Sequence, residues 1–343
     1  SAMREVVILS YARTPIGRFQ GGLASFRAPQ LGTFAIQEAL ARRELDPALV
    51  DEVIMGNVLL AGVGQNPARQ AARGAGIPDE VGSFTVNKVC GSGMKSVMLA
   101  AQAIACGDAD VVVAGGMESM SRAPYMIPKA RDGLRLGHGE LIDVMVHDGL
   151  WDVYNDFHMG NTGELVAKKY EIGRASQDEF AAESHRRAVA AWEAGKFAGE
   201  VVSVEVKGRK GKVTIVDRDE GPRADSTAEK LGKLRPAFDR SAEGTVTAGN
   251  ASSINDGAAA LVVASAEKAK ELGIEPIARI TGYATGGTAP EWVMMAPVVA
   301  VKKLWQKTGT EAGSFDLYEL NEPFAVASIA VGRELGLDPD KVN

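Results

Sequence analysis

Residues 84–115 read FTVNKVCGSGMKSVMLAAQAIACGDADVVVAG, and the fold follows from how this stretch divides. Phe84–Val89 reads as a strand, Ser92–Cys106 as a long helix and Asp110–Gly115 (DVVVAG) as a continuous buried strand. Upstream the texture is the same: Glu5–Tyr11 (EVVILSY) as a buried strand, Leu31–Leu45 as a helix, Val50–Leu60 as a strand and Asn66–Ala75 as a helix. Strands alternating with helices of this length imply parallel crossovers and a sheet covered by helices.

Composition bounds the rest. A chain of 343 residues is too long for one ordinary core, and its 45% hydrophobic and 24% charged content fits a globular protein with a large core. Aromatic residues are sparse and the 39 glycines plentiful, which favours helix-on-sheet packing over an aromatic-rich sandwich. The net charge of −6 argues against generic nucleic-acid binding but leaves room for a local basic pocket. No apolar run approaches the roughly 20 residues that span a bilayer, and no signal-peptide core opens the chain, so no membrane partner and a cytoplasmic location are expected. Ser1-Ala2 ahead of Met3 reads as a tag remnant. Two cysteines exclude a disulfide framework or a thiolate-rich metal site and fit a reducing compartment; no metal is expected.

Three stretches separate by pattern: residues 3–120, an irregular inserted region at 121–247, and 248–343. Within the insertion, Ser176-Gln177-Asp178-Glu179 has the form of a capping box ahead of a helix over Ser176–Gly195. A strand at Glu200–Val206 then leads into a basic turn, Lys207–Lys212, read as a solvated hairpin. The third stretch repeats the first. Ile277–Thr288 echoes Val6–Gly17, Ala296–Lys307 takes the place of the helix at Leu31–Leu45, Phe315–Leu320 that of Val50–Met55, and Arg333–Val342 matches Arg73–Val81. The expected fold is therefore α/β, two βαβ-type halves of one plan with layered sheets and an inserted loop domain. By the repeat, the second half stops where its equivalent of Phe84–Cys90 should start, and roughly 40–50 further residues are expected.

The two cysteines differ in setting. Cys106 ends an Ala-rich helix and is expected to be buried packing. Cys90 sits between a strand and a helix start, followed by Gly91, Ser92 and Gly93, a strand–turn–helix arrangement analogous to the nucleophile elbow of hydrolases. Small residues there let a carbonyl approach backbone N–H groups that stabilise an oxyanion. Presentation is not ionisation, however. A free thiol has a pKa of about 8.5, and bringing it to about 7 takes roughly 2 kcal/mol, of which a helix N-terminus supplies about 0.3–1 kcal/mol. A base or cation is needed, and histidine is the usual one. Local context alone leaves nucleophile and structural cysteine open.

Four separated segments bear on that choice: Val89-Cys90-Gly91-Ser92-Gly93-Met94-Lys95, Gly115-Gly116-Met117-Glu118-Ser119-Met120-Ser121, Gly244–Ala259 (GTVTAGNASSINDGAA) and Leu320-Asn321-Glu322-Pro323-Phe324-Ala325. In this order they resemble the active-site cysteine motif, the close of the first half, the pantetheine-binding loop and the N-E-x-F-A motif of the thiolase family. The resemblance implies a ping-pong acyl transfer through an acyl-Cys90 intermediate, with Asn321 holding a water that helps bind an enolate or oxyanion. It implies no cofactor, coenzyme A thioesters being substrates, and a homo-oligomer, dimer or tetramer, with Leu134–Tyr154 as candidate tetramer contacts. For coenzyme A the matching positions are Leu150, His158, Met159, Arg223, Ala248 and Ser252, with Phe238, Ala251 and Phe324 along the pantetheine path. His158-Met159-Gly160 is similar to the subgroup that handles acetoacetyl-CoA. The implied reaction is condensation of two acetyl-CoA to acetoacetyl-CoA and its reverse. The alternatives are a broader 3-ketoacyl-CoA thiolase of fatty-acid β-oxidation and a catalytically incomplete CoA-binding fragment. Pro323, Trp151 and Asn155 depart from the family's commoner residues. The family's G-H-P-x-G histidine, which activates the nucleophile, and its late C-x-G-G-G cysteine do not occur in these residues, and their expected place is beyond Asn343.

Overall fold

The computed structural model describes residues 3–343. The chain forms two compact units: one of residues up to Gly149 with Phe197–Gly221 and Ile254–Thr281, the other of Leu150–Lys196, Pro222–Ser253 and Gly282–Asn343.

Unit one is built on a seven-stranded sheet. Its main strands are β1 (Val6–Arg13), β2 (Glu52–Gly56), β3 (Gly82–Val86), β4 (Val111–Ser119) and β5 (Asn255–Ser265). Across the sheet the order is Ala278–Arg279, β1, β5, β4, β2, β3, with Gly17–Arg18 also paired to β5. β2 is parallel to both β3 and β4, as the strand–helix alternation predicts, whereas β5 is antiparallel to β1 and β4. Val111–Ala114 is buried on both faces, which is why it reads as a continuous apolar run.

Helix α1 (Ala28–Ala41) buries Leu31, Ala35, Ile36, Ala39 and Leu40, one stripe at helical spacing. Helix α2 (Pro67–Gly74) starts where the Asn66 side chain accepts from Arg69 N at 3.3 Å. Both join a cluster with Val53, Met55, Val111, Val113 and Met117, in which each fully buried aliphatic side chain contributes about 1.5–3 kcal/mol. Helix α3 (Ser92–Cys106) closes at Gly107, whose φ is +88°. It lies against the sheet through small residues: Ser96 Oγ donates to Gly115 O at 2.8 Å, and a side chain at Gly116 would come within 3.3 Å of Gly93 Cα. The stretch 89–106 has the length and apolarity of a membrane span; within it Ser96, Ala100, Ala101 and Ile104 are buried against the unit and most of the rest is not.

Arg13 of β1 ties residues 197–221 to this sheet. Its guanidinium donates to Glu200 at 2.9 Å and to both Asp219 oxygens at 2.8 and 3.0 Å. The basic turn is a hairpin: Val204–Lys207 pairs antiparallel with Val213–Val216, and Lys210 takes a φ of +57° at the tip.

Unit two is mainly helical, with α4 (Met159–Lys169), α5 (Arg174–Glu193), α6 (Ala296–Thr308) and α7 (Ala325–Leu335). Its core gathers Val166, Ile172, Val246, Val298, Phe324, Val326, Ala330 and Val331. The repeat is visible here. Tyr318 bridges Val342 in parallel, as β2 pairs with β3, with Tyr318 N to Lys341 O and Asn343 N to Tyr318 O both at 2.8 Å.

Several expectations are corrected. The strand expected over Val50–Leu60 ends at Gly56, because Glu118 takes the Val58 and Leu59 N–H groups out of the sheet. Ser176 does not cap: α5 begins at Arg174 with Gly173 extended before it, and the Arg174–Asp178 ion pair at 2.7 Å lies inside the first turns. Cys106 is exposed, because the buried stripe of α3 runs Ser92, Ser96, Ala100, Ile104 and leaves residue 106 on another face. Ile277–Thr288 yields only the two-residue strand Ala278–Arg279; beyond it Gly286 sits hard against Val299 and Ala300 of α6.

A Cβ on Gly115 would overlap the Ala259 carbonyl across the sheet, whereas one on Gly332, inside α7, meets nothing within 4 Å. G115A is expected to lower the melting temperature by about 5 °C or more, and G332A to leave it unchanged or raise it slightly, in thermal denaturation.

Candidate functional site

The predicted site residues fall on both units, Cys90 on unit one and the others on unit two. In unit one, β3 ends at Val86 and the chain folds tightly before α3 begins at Ser92. Val89, a β-branched residue, takes a φ of +48°, a left-handed conformation that costs about 1–2 kcal/mol. Local bonds hold it there. Asn87 Oδ1 accepts from Val89 N at 2.9 Å, and Ser92 Oγ accepts from Lys88 N at 2.8 Å while donating to Val89 O at 2.6 Å. Gly91 N donates to Lys88 O at 3.1 Å, and Lys95 N to Gly91 O at 2.8 Å begins the helical ladder. Cys90 thus stands at the tip of a strained turn just ahead of a helix N-terminus.

The residue presents surface to solvent, yet enough protein surrounds the thiol that desolvation pushes its pKa up. A hydrogen bond from its own backbone works the other way, and the charge of Glu118 adds to the rise. None of these influences is a cation, so the environment opposes ionisation where the local sequence promised partial help. Glu118 was not singled out by its residue type; its signal is a carboxylate two positions beyond the glycines that end a buried apolar run. It accepts from Asn57 Nδ2 at 2.7 Å, Val58 N at 2.9 Å and Leu59 N at 3.1 Å. Burial raises its own pKa, and those three donors counteract the rise.

In unit two the structure brings together most of the predicted coenzyme A positions. The Phe157–His158 strand pairs with Trp151–Asp152, and Met159 N donates to Leu150 O at 2.8 Å. His158 Nδ1 accepts from Gly160 N at 3.0 Å, capping α4 and leaving the neutral ring's proton on Nε2. The ring stacks on Phe238 at 4.7 Å and 27°, and Phe238 meets Phe324 edge-on at 6.4 Å and 90°. Ala251 bridges Phe324, and Ser252 N donates to Pro323 O at 3.0 Å, so the 244–252 loop and the Asn321-Glu322-Pro323-Phe324 segment are laced together. Asn321 and Ala248 are exposed beside this lacing. Arg223 stands apart: its backbone N donates to His185 Nδ1 at 3.1 Å and its guanidinium pairs with Asp225 at 3.3 Å in the open. The departures are accommodated locally, Trp151 Nε1 donating to Asp156 at 3.1 Å and Asn155 Nδ2 to Asp152 at 2.8 Å.

Residue type and spacing gave no sign of the polar frame behind the loop. Glu164 accepts from Thr245 N and Oγ1, both at 2.8 Å, and from Val246 N at 2.7 Å. Buried Asn250 accepts from Thr247 N at 2.8 Å and donates to Asp178 and to Thr245 O, both at 3.0 Å. A cavity of about 820 Å³ opens beside this frame, but of the predicted residues only Phe238 lines it. Its wall carries Glu164, Glu171, Asp239 and Glu243 against Lys168 and Arg240, a charge balance that disfavours a phosphate-bearing ligand. Among the described residues no group of three or more His, Cys, Asp or Glu is placed to share a metal ion.

Comparison with known proteins places this arrangement. The family described as "Thiolase, N-terminal domain" matches residues 6–267, and "Thiolase, C-terminal domain" matches 274–343. An acetyl-CoA acetyltransferase of Pseudomonas aeruginosa is 53% identical over 341 residues, covering 99% of this chain and 86% of that protein. Acetyl-CoA acetyltransferase 2 of Arabidopsis thaliana is 54% identical over 341 residues, covering 99% and 84%. The crystal structure of the Bacillus anthracis acetyl-CoA acetyltransferase superposes with a TM-score of 0.97 at 44% identity, covering all of this chain and 86% of that one.

Burial lowers the pKa of His158, and of His185 together with the nearby Arg223 charge. A histidine depressed in the folded state binds its proton more readily when unfolded, so its contribution to stability is complete above the unfolded value of about 6.5 and is lost as pH falls below it. Protonation of Nδ1 also breaks the α4 cap. His158→Asn keeps a capping acceptor without a titrating ring, and is expected to lose less melting temperature than the parent chain between pH 7 and 5.

Proposed function

The chain belongs to the thiolase family, and from that premise we propose that it is an acetyl-CoA C-acetyltransferase, condensing two acetyl-CoA to acetoacetyl-CoA plus CoA and running the reverse thiolysis. The observation that carries the reading is near-full-length identity of 53–54% to proteins of that name, joined to a cysteine held at a strained strand–helix turn.

In the first step the Cys90 thiolate attacks the acetyl-CoA carbonyl; the new S–C bond forms, the thioester bond breaks and CoA leaves as its thiolate. In the second, the α-carbon of another acetyl-CoA gives its proton to a second base, the role the family resemblance gives to the late C-x-G-G-G cysteine, and attacks the acetyl-Cys90 carbonyl. A C–C bond forms and Cys90 is released as thiolate. Splitting one displacement into two through a good leaving group is what a nucleophilic cysteine supplies. The raised thiol pKa means that the Cys90 proton must pass to a base in the first step, the role the family resemblance gives to the G-H-P-x-G histidine.

Asn321, exposed at the start of the segment that precedes α7, is assigned to the water that binds the enolate or oxyanion. The pantetheine arm is assigned to the Ala248–Ser252 loop and the Phe238–Phe324 pair, with Leu150, His158 and Met159 flanking it. Arg223, paired only with Asp225 in the open, is suited to a phosphate oxygen or the adenine face. Coenzyme A thioesters are substrates here, and no cofactor enters either step. A homo-oligomer, dimer or tetramer, is part of this reading.

The test is to incubate the protein with acetyl-CoA and map acetylation by peptide mass, then to assay thiolysis across acyl chain lengths. Acetyl on Cys90 with preference for the four-carbon substrate is expected, and a preference for long chains would replace this reading with a broad-chain 3-ketoacyl-CoA thiolase. C90A should lower turnover by roughly 10⁴-fold or more and abolish labelling, while N321A should lower kcat by roughly 10²–10³ and leave labelling in place.

A further inference from the structure

Helix α5 bonds to three of the unit-two segments assigned to substrate. Asp178 Oδ1 accepts from Asn250 Nδ2 of the 244–252 loop at 3.0 Å, Ser184 Oγ donates to Glu322 at 2.6 Å, and His185 Nδ1 accepts from Arg223 N at 3.1 Å. Asp178 and His185 stand seven positions apart, about two helical turns, and so share one face. The third bond differs from the other two in what else holds its segment. The 244–252 loop is also held by Glu164 and laced to Pro323 and Phe324, and Glu322 runs on through buried Phe324 into α7. Within residues 223–227 the bonds are local: Ser226 N donates to Arg223 O at 3.3 Å, Thr227 N to Asp225 O at 3.1 Å, and the Arg223 guanidinium pairs with Asp225, which Lys230 also approaches at 3.6 Å. These curl the segment without fastening it to the body of the unit. At its far end Thr227 Oγ1 accepts from Lys230 N at 3.2 Å and starts the short helix Ala228–Leu231, whose Leu231 is buried and whose last carbonyl accepts from Arg174 of α5 at 2.7 Å. At its near end stands the bond to His185. A backbone N–H aimed at Nδ1 requires an unprotonated acceptor, so this half-buried ring is neutral with its proton on Nε2.

We propose that His185 is the positioning residue for Arg223: its neutral ring, carried on α5, fixes the backbone from which the exposed guanidinium reaches the nucleotide end of coenzyme A. With that end loose, a long side chain and its backbone have more conformations to lose when the ligand arrives, and affinity falls although no contact to the ligand has been removed. The proposal rests on the assignment of Arg223 to coenzyme A and adds the group that preorganises it.

The test is the dissociation constant for CoA, measured by titration calorimetry at about pH 8, where an ordinary histidine is neutral. H185A removes the acceptor while placing the best helix former in α5, and is expected to weaken binding roughly threefold to tenfold. H185N, whose Oδ1 takes the place of Nδ1, should bind within about twofold of the parent. R223A should weaken binding roughly tenfold or more, and H185A added to R223A should weaken it no further, because a residue that acts through Arg223 has nothing left to position. Should H185A not fold, H185F, which keeps a ring in the half-buried place but offers no acceptor, takes its part. A side chain that served only to pack would give an H185A loss that persists in the R223A background. That result, unchanged affinity in H185A, or an H185N as weak as H185A would each overturn the proposal. The reading beneath it fails with a different signature: R223A would then bind CoA as the parent does, whereas failure of the positioning role alone leaves R223A weak and H185A unaffected.

Discussion

The close approach of α3 to the sheet is the constraint on which unit one depends. Ser96 reaches the Gly115 carbonyl, Gly93 lies over Gly116, and Gly56 admits no side chain beneath Ser92. A side chain on Gly115 or Gly56 would put atoms where backbone already sits, and one on Gly116 would press on Gly93. The same tightness explains the strained Val89: with the helix start pressed onto the strand ends, the few residues between Val86 and Ser92 must turn sharply, and the left-handed φ is taken by whichever residue stands there. Packing, turn strain and presentation of the thiol are thus one geometric condition seen at three points.

Electrostatics does not follow from that condition, and here the chemistry differs from a simple elbow. A helix N-terminus favours a thiolate, but by about 0.3–1 kcal/mol, less than is needed to bring a free thiol near neutrality. Desolvation and the Glu118 charge act against it. The turn therefore sets where the sulfur is and not what it is. A nucleophile arranged in this way is activated by the arrival of its base, which makes the protonation step part of the catalytic cycle rather than a property of the resting protein.

How much of the fold was legible in the sequence depends on the range of the interactions. Helix α3 matches its expected span because its signals, the small residues before it and Gly107 after it, are local. The strands β1 and β4 were legible as continuous apolar runs, because both faces are covered. The end of β2 was not: Val58, Leu59 and Leu60 continue the apolar run, and only a carboxylate some sixty positions later removes their N–H groups from the sheet. Ser176 misled for the opposite reason, a good local motif overridden by the Arg174–Asp178 pair and by buried Gln177, which fix the helix start ahead of it. In the site, the cysteine turn and the Phe324 segment were readable as short motifs. The Glu164 and Asn250 frame was not, since Glu164 bonds backbone 82 positions away, Asn250 reaches Asp178 across 72, and neither has a distinctive neighbour.

The internal repeat gives these residues a common logic. In the first half the chain leaves β2 at Gly56, passes Asn57 and enters α2; in the second it leaves Phe315–Leu320, passes Asn321 and enters α7. Asn57 follows β2, which runs parallel to β3, and Asn321 follows an extended segment whose Tyr318 makes a single parallel bridge to Val342. The first is buried and spends its amide on Glu118 and the Met117 carbonyl; the second is exposed and free to face a ligand. The two asparagines stand one place apart in the repeat, Asn321 taking the place of Gly56, and they differ in exposure: Asn57 is buried and bonded, while Asn321 is exposed. The difference lies in the connection from each strand to its helix. Ten residues, 57–66, separate β2 from α2, and Asn57 among them is bonded to Met117 O and Glu118, while Glu322, Pro323 and Phe324 lead at once into α7 and Asn321 stays exposed.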